Sequence, residues 1–276
     1  MRTMLAIDPV RFKSMTTAEI RESFLLEDLF QPDEIVLIYS EIDRAIVGSA
    51  VPVKEKLPLQ TAKELASDYF CQRREIGVLN IGGKGKIRVD KNSFGLASRD
   101  VLYIGRGAKE IVFSSDKIAE PAVFYLLSFP AHHGYPTTPA RFAEAAAVHL
   151  GKPEGANQRT IYKFIHPAGI QSCQLVMGFT ELASGSVWNT MPPHTHARRM
   201  EVYLYFDLQN SCRVFHFMGQ PEETRHIVIS SRQAVVSPSW SIHCAAGTGS
   251  YTFCWGMGGE NQNFDDMDGL AVEQLY

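Results

Sequence analysis

The stretch that decides the fold is His194-Thr195-His196, with Glu201 shortly after it and His243 much later in the chain. Residues at positions i and i+2 of a strand point to the same face, so His194 and His196 can offer two imidazoles to one ion. Three imidazole nitrogens and one carboxylate suit zinc, iron, manganese, nickel or copper, and leave positions open for water or substrate. The spacing therefore predicts a metal site inside a β-barrel. The alternative is a set of hydrogen-bonded barrel histidines.

Glu201 has the wrong parity to continue the strand of the two histidines, because it lies five residues after His196. We therefore expect residues 197–200 to form a turn or bulge, with Glu201 opening the next strand. The last candidate ligand, His243, follows a β-rich run that reaches a turn at Pro238. This arrangement would return the chain to the barrel at the histidine.

Composition restricts the class of protein. The chain has 276 residues, of which 45% are hydrophobic, and a net charge of only −3, so it can fill a core and shows no nucleic-acid footprint or basic membrane surface. No segment approaches the ~20 apolar residues of a membrane span, and the first residues do not resemble a signal peptide. The five scattered cysteines favour a reducing compartment. We expect a cytoplasmic protein with a small-molecule partner.

The order of elements predicts two similar β domains, residues 1–150 and 151–276. Thr16 and Glu19 form a capping-box pattern at the start of a helix in the first domain. Short strands punctuated by glycines follow, as in a sandwich or small barrel. Residues 132–158 are typical of a linker, and the alanine-rich segment 141–150 within it suggests one short helix.

The two predicted domains differ in chemistry. Where the second has Pro238 to His243, the first has Leu102 to Glu110, which contains a comparable glycine turn but no histidine. We therefore expect only the second domain to hold a metal.

At this point the sequence resembles the cupin superfamily, whose first motif matches His194, His196 and Glu201 and whose second matches Pro238 to His243. Longer runs resemble one cupin family, the 5-keto-4-deoxyuronate isomerases (4-deoxy-L-threo-5-hexosulose-uronate ketol-isomerases). These runs are Arg73 to Gly83, Arg159 to Pro167, Gln171 to Thr180, Gly185 to His196, Arg198 to Asp207, Glu223 to His226, Val236 to His243 and Trp255 to Gln262. The resemblance covers most of the chain.

The resemblance implies an all-β bicupin, with two β-barrel or jelly-roll (double-stranded β-helix) domains and a few short helices. It also implies one zinc ion per chain, held by His194, His196, Glu201 and His243, and assembly as a homo-hexamer. The implied activity belongs to bacterial degradation of pectin and related uronides: an isomerase converts 4-deoxy-L-threo-5-hexosulose uronate to 3-deoxy-D-glycero-2,5-hexodiulosonate. Negative charge develops on oxygen in the enediolate between them, where a metal ion can stabilise it.

Candidates for the remaining roles follow from position. Arg198 and Arg199 lie in the turn between ligands and suit the uronate carboxylate, although solvated turn arginines or inter-subunit ion pairs would look the same. The side chains that would face the cavity and could contact the substrate or carry its proton are Lys163, His166, Gln174, Tyr203 and Tyr205. We favour His166, Lys163 and Tyr205 as catalytic residues, and Tyr203 and Gln174 as substrate-binding residues. Structural hydrogen bonding is the alternative for each.

Two other classes use the same ligands. A cupin dioxygenase would hold iron there and activate oxygen, and a non-catalytic sugar-binding cupin would only bind. Metal analysis and oxygen consumption separate the first from an isomerase, and turnover of the uronate excludes the second. Transfer of the substrate hydrogen as a proton or as a hydride stays open.

Overall fold

The computed structural model describes all 276 residues, and most of its regular structure is β-strand. Two short α-helices lie near the N-terminus, α1 (Pro9–Lys13) and α2 (Thr17–Phe24). Six 3-10 turns span Ile42–Arg44, Lys63–Leu65, Phe70–Gln72, Phe142–Glu144, Pro153–Gly155 and Val272–Gln274. The strands, in chain order, are β1 (Arg2–Met4), β2 (Leu25–Leu26), β3 (Ile35–Ser40), β4 (Ile46–Ala50), β5 (Leu57–Pro58), β6 (Arg74–Asn80), β7 (Gly85–Val89), β8 (Asn92–Leu96), β9 (Val101–Ile104), β10 (Ile111–Ser115), β11 (Phe124–Pro130), β12 (Thr138–Ala140), β13 (Ala147–Leu150), β14 (Arg159–Ile165), β15 (Val176–Leu182), β16 (Trp188–Asn189), β17 (His194–Thr195), β18 (Arg199–Phe206), β19 (Val214–Gln220), β20 (Glu223–Ile229), β21 (Gln233–Ser237), β22 (Cys244–Gly247), β23 (Thr252–Gly259) and β24 (Asp268–Gly269).

Helix α2 begins as the sequence predicts. The Thr16 hydroxyl accepts from the Glu19 amide at 3.3 Å, and the Glu19 carboxylate accepts from the Thr16 amide at 2.7 Å. This capping box satisfies two backbone N–H groups that the first turn of a helix leaves without partners. Ile20 and Phe24 are buried, so the helix contributes one apolar face to the core of its unit.

The first compact unit comprises residues 1–4, 28–145 and 164–176. Its seven-stranded sheet has the order β1-β3-β4-β11-β6-β9-β12, and its four-stranded sheet the order β5-β10-β7-β8. Alternate side chains of both sheets fill a continuous apolar core, to which β6 contributes Ile76 and Val78 and β7 contributes Ile87. The unit is a double-sheet arrangement with an interior occupied by its own side chains.

The second compact unit comprises residues 5–27, 146–163 and 177–276. Its seven-stranded sheet has the order β13-β14-β15-β23-β18-β21-β2, its four-stranded sheet the order β16-β22-β19-β20, and β17 pairs with β24. The expected all-β class with two jelly-roll (cupin) barrels and few helices is therefore confirmed. None of the helices is long and apolar enough to cross a membrane.

Contacts divide the chain into interleaved segments, whereas the sequence suggests one cut after residue 150; that single cut stays a prediction. Residues 5–27 belong to the second unit because β2 pairs with β21 there. Residues 164–176 belong to the first unit, where the Glu75 carboxylate accepts backbone N–H groups of residues 173–175 at 2.7–2.9 Å. Long-range backbone pairing of this kind has no local sequence signal.

The helix expected within residues 141–150 is wrong. This segment forms only the 3-10 turn Phe142–Glu144 and then strand β13. Tertiary pairing overrides the helical propensity of the alanines, because Val148 pairs with Ile161 of the neighbouring strand β14.

Candidate metal centre

The four side chains predicted as ligands lie together in the second unit. His194 opens the short strand β17. The Arg199 amide donates to the carbonyl of His196 at 3.1 Å, which closes a turn and starts β18. Glu201 is the third residue of β18, so the predicted turn is present and the strand begins two residues earlier than expected.

His243 is brought to the same place by the turn at Pro238. Strand β21 ends at Ser237, which pairs with Glu201 across the sheet. The Ser241 amide then donates to the Pro238 carbonyl at 3.0 Å, and His243 directly precedes β22. The proline turn therefore returns the chain beside Glu201, as the sequence predicts.

The ligand atoms converge on one point. The Nε2 atom of His243 lies 2.9 Å from Oε2 of Glu201 and 3.0 Å from Nε2 of His194. The Nε2 atom of His196 lies 3.2 Å from the same Glu201 oxygen. All four ligand atoms lie within 4.8 Å of one another, and three of the four residues are buried. This group could hold a metal ion.

A supporting hydrogen bond orients one of these rings. Nδ1 of His196 lies 2.9 Å from the carbonyl oxygen of Arg199. A carbonyl only accepts, so Nδ1 carries the hydrogen and donates it, and the Nε2 lone pair is left facing the cluster. Metal-binding histidines are commonly oriented in this way.

The charges of the cluster suit a cation. Burial alone would raise the pKa of the Glu201 carboxyl, but the neighbouring imidazoles of His243 and His196 outweigh it and hold this pKa well below its usual range. Burial lowers the pKa of His194 to about 3, with a further contribution from His243. At neutral pH the glutamate is therefore ionised and His194 is neutral, which are the forms that bind metals.

The spacing of the donor atoms also fits an ion. Two ligands at about 2.1 Å from a metal, separated by an angle of about 90–110°, stand about 3.0–3.4 Å apart. The three nearest ligand pairs in the cluster are 2.9, 3.0 and 3.2 Å apart. Two imidazole nitrogens facing each other at 3.0 Å need a proton or a cation between them. Three nitrogens and one oxygen match the donors of catalytic zinc and iron sites.

A cavity of about 310 Å³ opens beside the cluster. Its volume is at the lower end of the range for small-molecule sites. Most of its wall is apolar, including the side chains of Ile161, Phe253, Trp255, Met257, Phe264 and Met267. Its polar wall comprises three of the four clustered residues (His194, His196 and Glu201) together with Arg159, Thr180, Thr190, Arg199 and Tyr203.

Arg198 and Arg199 both hold the segment after β23. Arg198 donates to the Asp266 carboxylate at 2.8 Å and to that of Asp268 at 3.0 Å. Arg199 is 1% exposed and donates to the backbone carbonyls of Asn263 and Asp266. Arg199 lines the cavity and Arg198 does not. Binding of a substrate carboxylate by either residue stays a prediction.

Tyr203 and Tyr205 occupy different depths of the same face of β18. Tyr203 lines the cavity, with its hydroxyl 3.4 Å from that of Thr190 and its ring centroid 5.6 Å from that of His243. Tyr205 is fully buried, and its hydroxyl contacts Nδ1 of His216 at 2.7 Å. Burial raises the pKa of both phenols well above the usual value, so both are neutral hydrogen-bonding groups.

The other predicted residues lie outside the cavity wall. Nζ of Lys163 lies 3.5 Å from the ring centroid of Phe264, in a cation–π contact. His166 and Gln174 belong to the first compact unit, where the Gln174 amide donates to the carbonyl of Pro130 at 2.7 Å. Roles of Lys163, His166, Gln174 and Tyr205 in binding or catalysis stay predictions.

Several cavity residues were missed by the sequence analysis. Phe253, Trp255 and Met257 alternate along β23, and Arg159 and Ile161 alternate along β14. Period-2 alternation beside the ligand strand was the signal that could have found them. Phe264 and Met267 lie outside long strands and carry no such pattern.

Comparison with known proteins gives a consistent result. A sequence model of the KduI/IolB family matches residues 29–273. A relative from Lachnoclostridium phytofermentans, named 4-deoxy-L-threo-5-hexosulose-uronate ketol-isomerase, is 54% identical over the full length of both chains. A relative of the same name from Escherichia coli strain SE11 is 51% identical over 98% of both.

Solved structures show the same fold at much lower identity. An IolB-like protein from Salmonella typhimurium LT2 superimposes with a TM-score of 0.72 at 14% identity, covering 90% of this chain and 96% of that one. Vicilin from tomato (Solanum lycopersicum) gives 0.53 at 12%, covering 80% and 75%.

Proposed function

This chain belongs to the KduI/IolB family, and from that premise we propose that it is a 4-deoxy-L-threo-5-hexosulose-uronate ketol-isomerase that acts in the breakdown of pectin and related uronides. The observation that carries the proposal is the 54% identity, over the whole of both chains, with a relative of that name. The cavity beside the His194 cluster supports it, because a small uronate needs an enclosed site with a few polar groups.

The reaction moves hydrogen between adjacent carbons. The aldehyde at C1 and the hydroxyl at C2 become a hydroxyl at C1 and a ketone at C2, so C2 loses a hydrogen and C1 gains one. If the hydrogen moves as a proton, an enediolate lies between the two forms and its oxygens carry negative charge. The site must therefore orient both oxygens and stabilise that charge.

We propose zinc, one ion per chain, held by His194, His196, Glu201 and His243. A divalent ion held there would supply Lewis-acid stabilisation of the negative charge that develops on the substrate. The residues fit this role because three pairs of their donor atoms are 2.9–3.2 Å apart, all four atoms lie within 4.8 Å of one another, and Glu201 is ionised. The carbonyl of Arg199 fixes the orientation of His196 by accepting from Nδ1.

Tyr203 is the strongest candidate for a direct substrate contact among the predicted residues. Tyr203 lines the cavity beside the cluster, its hydroxyl lies 3.4 Å from that of Thr190, and its raised pKa keeps the proton on the phenol oxygen at neutral pH. Tyr203 can therefore donate a hydrogen bond to a substrate oxygen as charge develops on it. The apolar wall formed by Phe253, Trp255 and Met257 excludes water from the reacting carbons.

Assembly and location extend the proposal. We expect a homo-hexamer in the cytoplasm, without nucleic-acid or membrane partners. Light scattering would then give a mass about six times the 30.8 kDa of one chain, and a 30.8 kDa particle would contradict the hexamer.

The decisive experiment supplies the purified protein with lyase-digested, glycosidase-treated oligogalacturonate and follows loss of the aldehyde by NMR. We expect conversion to the ketone at the same rate in air and under argon. Oxygen consumption with the same substrate would favour an iron dioxygenase, and binding without conversion would favour a sugar-binding protein. Metal analysis of the same preparation tests zinc directly.

A further inference from the structure

Three arginines lie in or near the cavity, and they differ in what already pairs with them. Arg198 makes ion pairs with Asp266 and Asp268. Arg199 is buried, and its terminal nitrogens donate to two backbone carbonyls. Arg159 lines the cavity and donates one hydrogen bond, from NH1 to the carbonyl of Asn157 at 2.9 Å. A carbonyl neutralises no charge, but the charge of Arg199 also interacts with the carboxylates of Glu201 and Asp266. No carboxylate interacts with Arg159 in this way, so its charge is the one that lacks a counter-ion.

The surroundings of Arg159 make that charge costly. The residue is half-buried, and burial lowers its pKa from the usual value. Ile161, Phe253 and Trp255 line the same cavity. The one carboxylate in the cavity wall, Glu201, lies within hydrogen-bond distance of His196 and His243. A partly desolvated guanidinium without an acidic partner gains free energy when an anion enters.

We infer that Arg159 binds the carboxylate of the substrate and thereby sets both the specificity for uronates and the orientation of the sugar. This inference rests on the proposed function. The carboxylate of a hexosulose uronate is at C6, at the opposite end of the molecule from the aldehyde. A chain held at C6 by Arg159 presents C1 and C2 to the His194 cluster in the same cavity.

Tyr203 supports this orientation. Both Tyr203 and Arg159 line the cavity, and the ring centroid of Tyr203 lies 5.6 Å from that of His243. Tyr203 therefore shares the cavity with the proposed carboxylate-binding group and lies beside the His194 cluster. The planar guanidinium also provides two parallel N–H donors for a carboxylate, which a lysine cannot.

The test compares Arg159→Gln and Arg159→Lys with Arg213→Gln. Arg213 is a matched control because it is exposed, lies in the same unit and donates only to loop carbonyls and not to the cavity. We expect Arg159→Gln to raise KM for the deoxy-keto-uronate by about 100-fold, with a much smaller change in kcat. Arg159→Lys should recover part of the loss, since it keeps the charge but not the fork. Unchanged metal content and circular dichroism would show that the fold survives.

A direct measurement of ligand binding tests the inference without relying on turnover. Wild-type protein should bind D-galacturonate at least ten times more tightly than its uncharged methyl ester, and Arg159→Gln should bind the two alike. If Arg159→Gln retains both the low KM and the preference for the carboxylate, the inference is wrong while the isomerase stands. If wild type turns nothing over but shows an Arg159-dependent preference for galacturonate, the carboxylate site stands and the isomerase fails.

Discussion

The two compact units have the same topology but different interiors. The first unit is filled by apolar side chains, and the second contains a cavity with several polar groups in its wall. In each, a seven-stranded sheet is combined with a four-stranded sheet, and the strand orders correspond, with β6 in the first matching β18 in the second. Glu201 of β18 pairs with the last residue of β21, and Ile76 of β6 pairs with the last residue of β9. The first barrel therefore has a buried isoleucine where the second has a carboxylate.

The correspondence extends along the strands. Val78 takes the position of Tyr203, and Glu110 directly precedes β10 as His243 directly precedes β22. Glu110 makes a surface ion pair with Arg88 and does not enter the core. The same topology therefore holds an interior filled by branched apolar side chains in the first unit and a cavity lined by the His194 cluster in the second. The difference resides in a few inward positions.

The largest effect is expected from Glu201→Ile, which gives the second barrel the residue that the first barrel has at the corresponding position, Ile76. We expect bound metal and isomerase activity to fall together, by far more than the ~10–100-fold that loss of a supporting hydrogen bond costs. Metal content and kcat/KM measure this.

Glu110→Gln is the matched control, because it changes the position in the first barrel that corresponds to His243. It should leave metal content and activity unchanged. Full activity in metal-free Glu201→Ile protein would contradict the assignment of the cluster.

The next prediction concerns the first barrel, whose interior is filled by apolar side chains. Ile76 is 0% exposed within the apolar core of the first unit. Ile76→Ala should lower the free energy of unfolding by about 2–4 kcal/mol, through lost burial and the cavity left behind. Metal content per folded chain should not change. Denaturant unfolding measures the loss, and the exposed residue Ile118 supplies the control, since Ile118→Ala should have little effect.

The second unit should lose stability as the pH falls, because it contains a buried histidine. His216 is 0% exposed, and burial lowers its pKa to about 3, whereas an unfolded histidine has a pKa of about 6.5. The unfolded state therefore binds a proton first as the pH falls, and stability is lost below pH ~6.5.

Because of His216, the free energy of unfolding at pH 5.5 should be lower by roughly 1 kcal/mol than at pH 7.5. Urea unfolding of wild type and His216→Phe at the two pH values measures it, because phenylalanine keeps a ring and removes the titration. An equal pH dependence in both proteins would show that His216 does not carry the effect.

The cluster of His194, His196, Glu201 and His243 could be predicted from the sequence because local rules place each of its members. The spacing of His194 and His196 and the turn at Pro238 are set by strand alternation and by turn chemistry. The roles of the arginines could not be predicted in this way. Arg198 is paired with Asp266 and Asp268, which are distant in sequence and near in space, whereas Arg159 donates to the carbonyl of Asn157.

The sequence also does not predict which side chains on one face of a strand reach the cavity. Tyr203 and Tyr205 share one face of β18, yet only Tyr203 lines the cavity, whereas the hydroxyl of Tyr205 lies 2.7 Å from Nδ1 of His216 on β19. Lys163 lies two residues beyond Ile161 on β14, but Phe264 lies beneath its ammonium group. Packing partners from other segments decide these outcomes, so alternation predicts the face of a side chain and not its access to substrate.

The smallest expected effect concerns the segment that carries Phe264 and Met267 to the cavity wall. Arg198 holds this segment through Asp266 and Asp268, and its side chain is 36% exposed. Exposed ion pairs contribute little to overall stability, so Arg198→Gln should leave thermal unfolding nearly unchanged. It should still loosen the wall and raise KM by about threefold, with kcat and metal content unaffected. Lys86→Gln, which removes a comparable surface pair with Asp116 in the first unit, should not change KM. An equal KM for the two variants would show that Arg198 does not position the cavity wall. Its ion pairs would then be as dispensable as the surface pair of Lys86 with Asp116.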